Sequence, residues 1–247
     1  MNFLAPADAD RASSTLRRLA LHDVSAFALT GGLAIELHLS SLEMARGTRP
    51  VLRPLNDIDF LVDVFDRIPR SLAADFLVRH VHPGDLPGKT LLQAVDPRTS
   101  VRIDIFRAYG NEMARTRPIA LAGISLNIVA AEDMLARHAR LCCDLLAGQP
   151  VDPKFARDFL RLLDGTGADA SALARLDPVW REHRKPSHPG SLFDAVSALS
   201  SAIRERADLL IPSACSRNVL DVCPRCHATS GFPLAPAQEI FAHLGYC

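Results

Sequence analysis

The chain has no excess of charge, no long apolar run and few cysteines before its end, and each shortage excludes something. Its 28 basic and 28 acidic side chains give zero formal net charge with the nine His left out. No global basic field therefore draws it onto nucleic acid, although a local patch still could. No stretch approaches the 18 or so apolar residues of a membrane-crossing helix. The opening MNFLAPADADRASS lacks a basic segment followed by an apolar one. It does not read as a secretory signal, and cytoplasmic residence is the expectation. There is no internal repeat and no low-complexity stretch. Only two Cys, the adjacent Cys142 and Cys143, precede the last 33 residues, which hold the other four. The adjacent pair falls in a helical pattern and reads as buried thiols.

What is present is ordinary globular material: 247 residues, 48% hydrophobic and 23% charged. That composition excludes a largely disordered chain and allows one large domain, or a domain with a module. Periodicity predicts a helix over 10–22, a short strand over 25–30 and a helix over 33–44 in which Leu33, Leu37 and Leu42 share a stripe. A Pro-rich loop leads into DIDFLVDV, which alternates: Ile58, Phe60, Val62 and Val64 face one way, and Asp57, Asp59, Leu61 and Asp63 the other. This is the pattern of a half-buried strand with an acidic face. Residues 66–81 read as helical. TLLQAV and VRIDIF read as strands joined by a DPRTS turn, with further β structure over 119–129. From 131 the pattern is helical, interrupted by the linker HRKPSHPGS (183–191) and resuming over 192–209. The expected organisation is an α/β (α+β) domain over 1–130, a helical region over 131–210 and a small Cys/His module over 211–247.

Asp57 and Asp59 stand two apart on one strand, so their carboxylates share a face about 7 Å apart at the backbone. Like charges so placed repel unless a cation neutralises them. Asp104 sits in VRIDIF, whose Val101, Ile103 and Ile105 form the opposite, apolar face. If the two strands pair, Asp104 can lie about 5 Å from one of the first two carboxylates. Three carboxylates suit one or two Mg²⁺, hard ions that prefer oxygen and also take phosphates. The TGG at 30–32 lies where a strand passes into a helix. Glycine permits close backbone approach, and the helix N-terminus offers N–H groups to a phosphate.

These residues resemble the nucleotidyltransferase superfamily with the DNA polymerase β-type fold, in its minimal and abortive-infection (AbiEii-type) toxin branch. LTGGLAIELHL looks like the family's Gly-pair motif, NDIDFLV like its DxD strand and VRIDIF like its third-carboxylate strand. NIVAAEDMLARHARL and KFARDFLRLL resemble later helices of the family. The resemblance implies a mixed sheet flanked by helices. It implies Mg²⁺ held by Asp57, Asp59 and Asp104, in two-metal fashion, and an NTP whose phosphates meet Thr30, Gly31 and Gly32. Asp104 would also activate the attacking hydroxyl, Lys154 would pair with phosphate, and Asp158 would orient it or the acceptor. Three departures stand out. Gly31-Gly32 replaces the Gly-Ser common in the superfamily, His138 stands where relatives often have Lys, and few other basic residues are at hand beyond Arg53, Arg102 and Arg107. Lys154 and Asp158 are also placed to form a plain i,i+4 surface ion pair, and Arg102 reads as a solvated strand position.

The tail ends CPRCHATSGFPLAPAQEIFAHLGYC. Cys223 and Cys226 form CxxC, and His243 and Cys247 lie i,i+4 on one face of a helix that Pro236 can start. A spacer of 16 residues between the pairs gives nearly the layout of a four-ligand structural Zn²⁺ site. Phe232 with Phe241 or Leu244 would supply its small core. Cys215 and His227 are alternative ligands, and a set of free thiols is the plain alternative. Arg217 and Arg225 are balanced by Asp221 and Glu239, which argues mildly against strong DNA binding.

The resemblance thus implies a nucleotidyltransferase that moves a nucleoside monophosphate to RNA or protein, toxin-like and with an antitoxin-like partner. A small-molecule (antibiotic-type) transferase, or a degenerate binding module working through its zinc finger, are the alternatives. No membrane association is expected.

Overall fold

A computed structural model describes residues 1–45, 52–55, 57–81, 91–166 and 169–212. The Cys/His module, with Cys223, Cys226, His243 and Cys247, lies outside the described residues. Pro6 opens α1 (Pro6–Leu19), with Asp8 in its first turn and Arg17 and Arg18 in its last, a charge order that suits the helix dipole. Its Ala12, Thr15, Leu16 and Leu19 are buried, the one-face spacing of a helix on a core. β1 is only Ala28–Thr30, shorter than periodicity predicts, and α2 follows at once from Gly31 to Ala45. β2 spans Asp57–Val62. Asp63 and Val64 fall beyond it, and Leu61, expected among the outward residues, is buried.

Residues 66–81 correct the helical expectation. Short 3₁₀ turns at Phe65–Arg67 and Arg70–Ala74 lead into strand β3, Leu77–Val81. Pro69, without an N–H, separates the two turns. The following LVRHV finds backbone partners on β4 (Leu91–Val95), and tertiary pairing overrides a weak local preference. β5 (Arg102–Arg107) is followed by the hairpin β6 (Arg117–Leu121) and β7 (Ile124–Ile128), whose two-residue turn has positive φ at Ala122 and Gly123.

The seven strands form one mixed sheet in the order β3-β4-β5-β2-β1-β7-β6. β1 runs antiparallel to β2 and parallel to β7, and β2 runs parallel to β5. Then come α3 (Ala131–Cys142), α4 (Pro153–Thr166), α5 (Ala170–Arg175), α6 (Asp177–His183) and α7 (Leu192–Glu205). The helical pattern before the linker divides at Leu176 into α5 and α6, because Pro178 suits the first turn of a new helix and cannot continue the one before it. Ser191 caps α7 by accepting from the Asp194 N–H at 3.0 Å. The linker before it is anchored by fully buried Trp180, whose Nε1–H donates to the Pro189 carbonyl at 2.9 Å. The fold is thus α/β, a mixed sheet flanked by helices and followed by a helical region, and sheet and helices share one apolar core. Among the described residues no helix is long and apolar enough to cross a membrane.

Candidate functional site

The register of β2 on β5 builds the site. Asp59 lies opposite Asp104, and Asp57 opposite Arg102. Strand alternation then puts all four side chains on one face of the sheet. The carboxylates of Asp57, Asp59 and Asp104 each offer an oxygen within 4.8 Å of the others, so this group could hold a metal ion. Asp104 is buried, and Asp57 and Asp59 are half-buried. Arg102 is no solvated strand position: its guanidinium donates to Asp57, and its Nε lies 3.1 Å from Asp104 Oδ1. That last pair is out of hydrogen-bonding alignment, and both atoms are buried with no hydrogen-bond partner.

The electrostatics follow from three acids around one base. Burial pushes the Asp59 carboxyl well above the usual range, and the neighbouring Asp57 and Asp104 push it further. Asp104 is raised to about 6, chiefly by burial, with Asp57 adding to the rise and Arg102 opposing it. Burial works against the charge of Arg102, but Asp104 and Asp57 outweigh it and hold the guanidinium more firmly protonated.

The Gly pair abuts these acids. Gly31 has φ +64°, and a Cβ there would lie 1.8 Å from Asp59 Oδ2, so both conformation and space demand glycine. The Gly32 N–H donates to the Asp59 carboxylate. A Cβ on Gly32 would come 2.8 Å from Arg53 Nη2. The space opened by the two glycines is therefore taken by Asp59 and Arg53. Thr30 is buried at the end of β1, in register with Asp59.

Arg53 is the hub of a second set of charges. It lies 3.3 Å from Glu36 and 3.4 Å from Asp158, both buried. Arg161 forks onto Glu36 at 2.6 and 2.9 Å. Asp158 is thereby linked through Arg53 to the start of α2. Lys154 stands apart: it is exposed, 3.9 Å from Asp152 and 4.9 Å over the Phe155 ring. Its ion pair is with Asp152, while Asp158 pairs with Arg53 and with Arg157 at 3.4 Å. His138 is buried, its Nδ1 2.8 Å from the Met134 carbonyl, and burial lowers its pKa. Glu36 and Arg161 escaped sequence reasoning. The available signal was a glutamate inside the apolar run of LAIELHL.

A further cluster has no sequence signature. Glu112, Asp133 and His183, all buried, also bring ligand atoms within 4.8 Å of one another. Arg115 forks onto Asp133 at 2.6 and 2.8 Å and reaches Glu182 at 2.8 Å. Arg137 holds both oxygens of Glu112 at 2.7 and 2.8 Å, and the Tyr109 N–H donates to it at 2.6 Å. His183 Nε2 lies 3.2 Å from Asp133. Burial would raise Asp133, but its bonds from Arg115 and His183 outweigh that and hold it low. Arg115 draws Glu182 down to about 2.

No family model matches the chain, and no curated protein does. Among solved structures it is similar to an antigenic nucleotidyltransferase-like protein from Paracoccidioides brasiliensis, at 16% identity and a TM-score of 0.43 over 83% of this chain and 92% of that one. It is also similar to JHP933 from Helicobacter pylori, at 12% identity and a TM-score of 0.38 over 84% of this chain and 94% of that one. At that level of overlap, only this chain's own side chains can argue for a function.

Proposed function

We propose that the chain is an Mg²⁺-dependent nucleotidyltransferase that joins a nucleoside monophosphate, taken from an NTP, to an acceptor hydroxyl. The observation that carries this reading is the convergence of Asp57, Asp59 and Asp104 within 4.8 Å, beside the Gly31-Gly32 start of α2. The donor set fits the ion: it is all oxygen, which hard cations prefer. Asp104 Oδ1 is buried without a hydrogen-bond partner, and three acids face one guanidinium. Asp57, Asp59 and Asp104 would hold one or two Mg²⁺, which supply charge neutralisation at the phosphoryl oxygens.

The protein's own part is placement. The acceptor oxygen forms a bond to the α-phosphorus as the α–β anhydride breaks and pyrophosphate leaves. Asp104, the least exposed of the three acids, would orient that hydroxyl and take its proton as the new P–O bond forms. Thr30, Gly31 and Gly32, at the junction of β1 and α2, would meet the NTP phosphates once Asp59 and Arg53 give way. Arg53, held there by Glu36 and Asp158, is a better placed phosphate partner than exposed Lys154. RNA or protein is the acceptor we favour, in a toxin-like role with an antitoxin partner. The Cys223, Cys226, His243 and Cys247 module would hold a structural Zn²⁺. One observation favours a second reading, a binding module without transfer: Asp59 and Arg53 fill the space at Gly31-Gly32.

The deciding experiment is label transfer. The purified protein is incubated with each α-³²P-labelled NTP, Mg²⁺ and a cell extract, beside Asp57→Ala/Asp59→Ala. Label entering RNA, protein or a small molecule only with the wild type is expected, and it names the acceptor class. Transfer undiminished in the double variant would sink the assignment.

A further inference from the structure

Arg102 occupies the centre of the carboxylate group. Parallel pairing sets it opposite Asp57, and the two-residue period of its own strand sets it beside Asp104. Its fork touches both carboxylates. Its fit to them is incomplete, since Asp104 Oδ1 and Arg102 Nε are 3.1 Å apart yet misaligned. A planar guanidinium supplies one positive charge in a fixed geometry. Three acids in one small space leave two negative charges over when all are ionised. Arg102 is also the group best able to leave, because 35% of its side chain is exposed against 8% for Asp104. It can swing toward solvent while β5 keeps its backbone pairing.

Resting on the metal reading above, we propose that Arg102 is a built-in counter-cation, displaced from Asp57 and Asp104 when the divalent ion binds. A dication and a guanidinium on the same carboxylate oxygens repel each other, so the two occupy the site in turn. In the metal-free protein Arg102 keeps the acids from repelling one another, and the ion must compete with it. The exchange weakens the hold on free metal.

The test is direct metal binding, independent of turnover. Mn²⁺ titration is followed by electron paramagnetic resonance for wild type, Arg102→Gln, Arg102→Lys and Asp57→Asn/Asp104→Asn. Arg102→Gln should bind Mn²⁺ about tenfold more tightly, the lower end of what an adjacent guanidinium does to a carboxylate's hold on a proton, given partial exposure. Arg102→Lys keeps the charge but loses the fork, and should tighten binding by roughly two- to threefold. Circular dichroism checks that each variant is folded, and the Lys variant carries the test should the Gln variant not fold. Unchanged or weaker binding in the Arg102 variants, with binding lost in Asp57→Asn/Asp104→Asn, would overturn the exchange and leave the metal site standing. No Mn²⁺ bound by the wild type or the Arg102 variants, or equal binding in Asp57→Asn/Asp104→Asn, would overturn both.

Discussion

Among the described residues, two clusters of three acid or imidazole groups each bring their ligand atoms within 4.8 Å of one another, with opposite electrostatics. At Asp57, Asp59 and Asp104 one arginine serves three carboxylates, and burial holds Asp59 and Asp104 above the ordinary carboxylate range. At Glu112 and Asp133, with Glu182 beside them, Arg115 and Arg137 saturate the carboxylate oxygens, and Asp133 and Glu182 are held below theirs. Spacing alone does not distinguish a cation site from a structural clasp. The balance of fixed charge does: the first cluster is short of positive charge, and the second supplies its own.

The clasp joins three distant pieces of chain, the turn after β5, α3 and the end of α6. Breaking it should give the largest effect. Arg115→Ala leaves Asp133 fully buried without its main partner, and should lower the unfolding free energy in urea by about 3–5 kcal/mol. A loss below about 1 kcal/mol would mean that water or His183 replaces the guanidinium.

The second prediction turns on the sign of the pH dependence. Asp104 moves from 3.8 to about 6 on folding. Between those values the folded state binds more protons there than the unfolded chain. Stability should therefore fall as pH rises through that window, by up to about 3 kcal/mol from this group in metal-free protein. Asp104→Asn should flatten that slope in chelator-treated samples. Asp133 and Glu182, both held low, act in the opposite sense: their contribution is full above the ordinary carboxylate range and is lost as pH falls below it, for Glu182 toward about 2. An unchanged slope in Asp104→Asn would contradict the raised value.

The smallest effect should come at Lys154. Its side chain is exposed and its ion pair is with Asp152 at 3.9 Å. Lys154→Ala should change stability by no more than about 0.5 kcal/mol, and should leave label transfer near the wild-type rate. A large loss of transfer would restore the phosphate role that the sequence suggests for it.

The acidic site was legible in the sequence because strand alternation is a local property. DIDFLV and VRIDIF each announce which face carries their acids. Their register, Asp59 opposite Asp104, is not local, since it depends on how two strands separated by a hairpin pair in parallel. Arg102 was visible two residues before Asp104, but its partner across the strands was not, so it passed for a solvated residue. The clasp was illegible for the same reason. Glu112, Asp133 and His183 carry no mutual spacing, and tertiary packing alone brings them together. Residues 66–81 read as helical from local pattern, whereas Pro69 and non-local pairing with β4 decide otherwise.

The most direct test of the charge-balance account is thermal unfolding with and without saturating MgCl₂, after chelator treatment, for wild type, Asp57→Asn/Asp59→Asn and Glu112→Gln. The account predicts that Mg²⁺ raises the Tm of wild type and of Glu112→Gln, and leaves Asp57→Asn/Asp59→Asn unmoved. A Mg²⁺ shift that survives in Asp57→Asn/Asp59→Asn, or one that disappears only in Glu112→Gln, would contradict it.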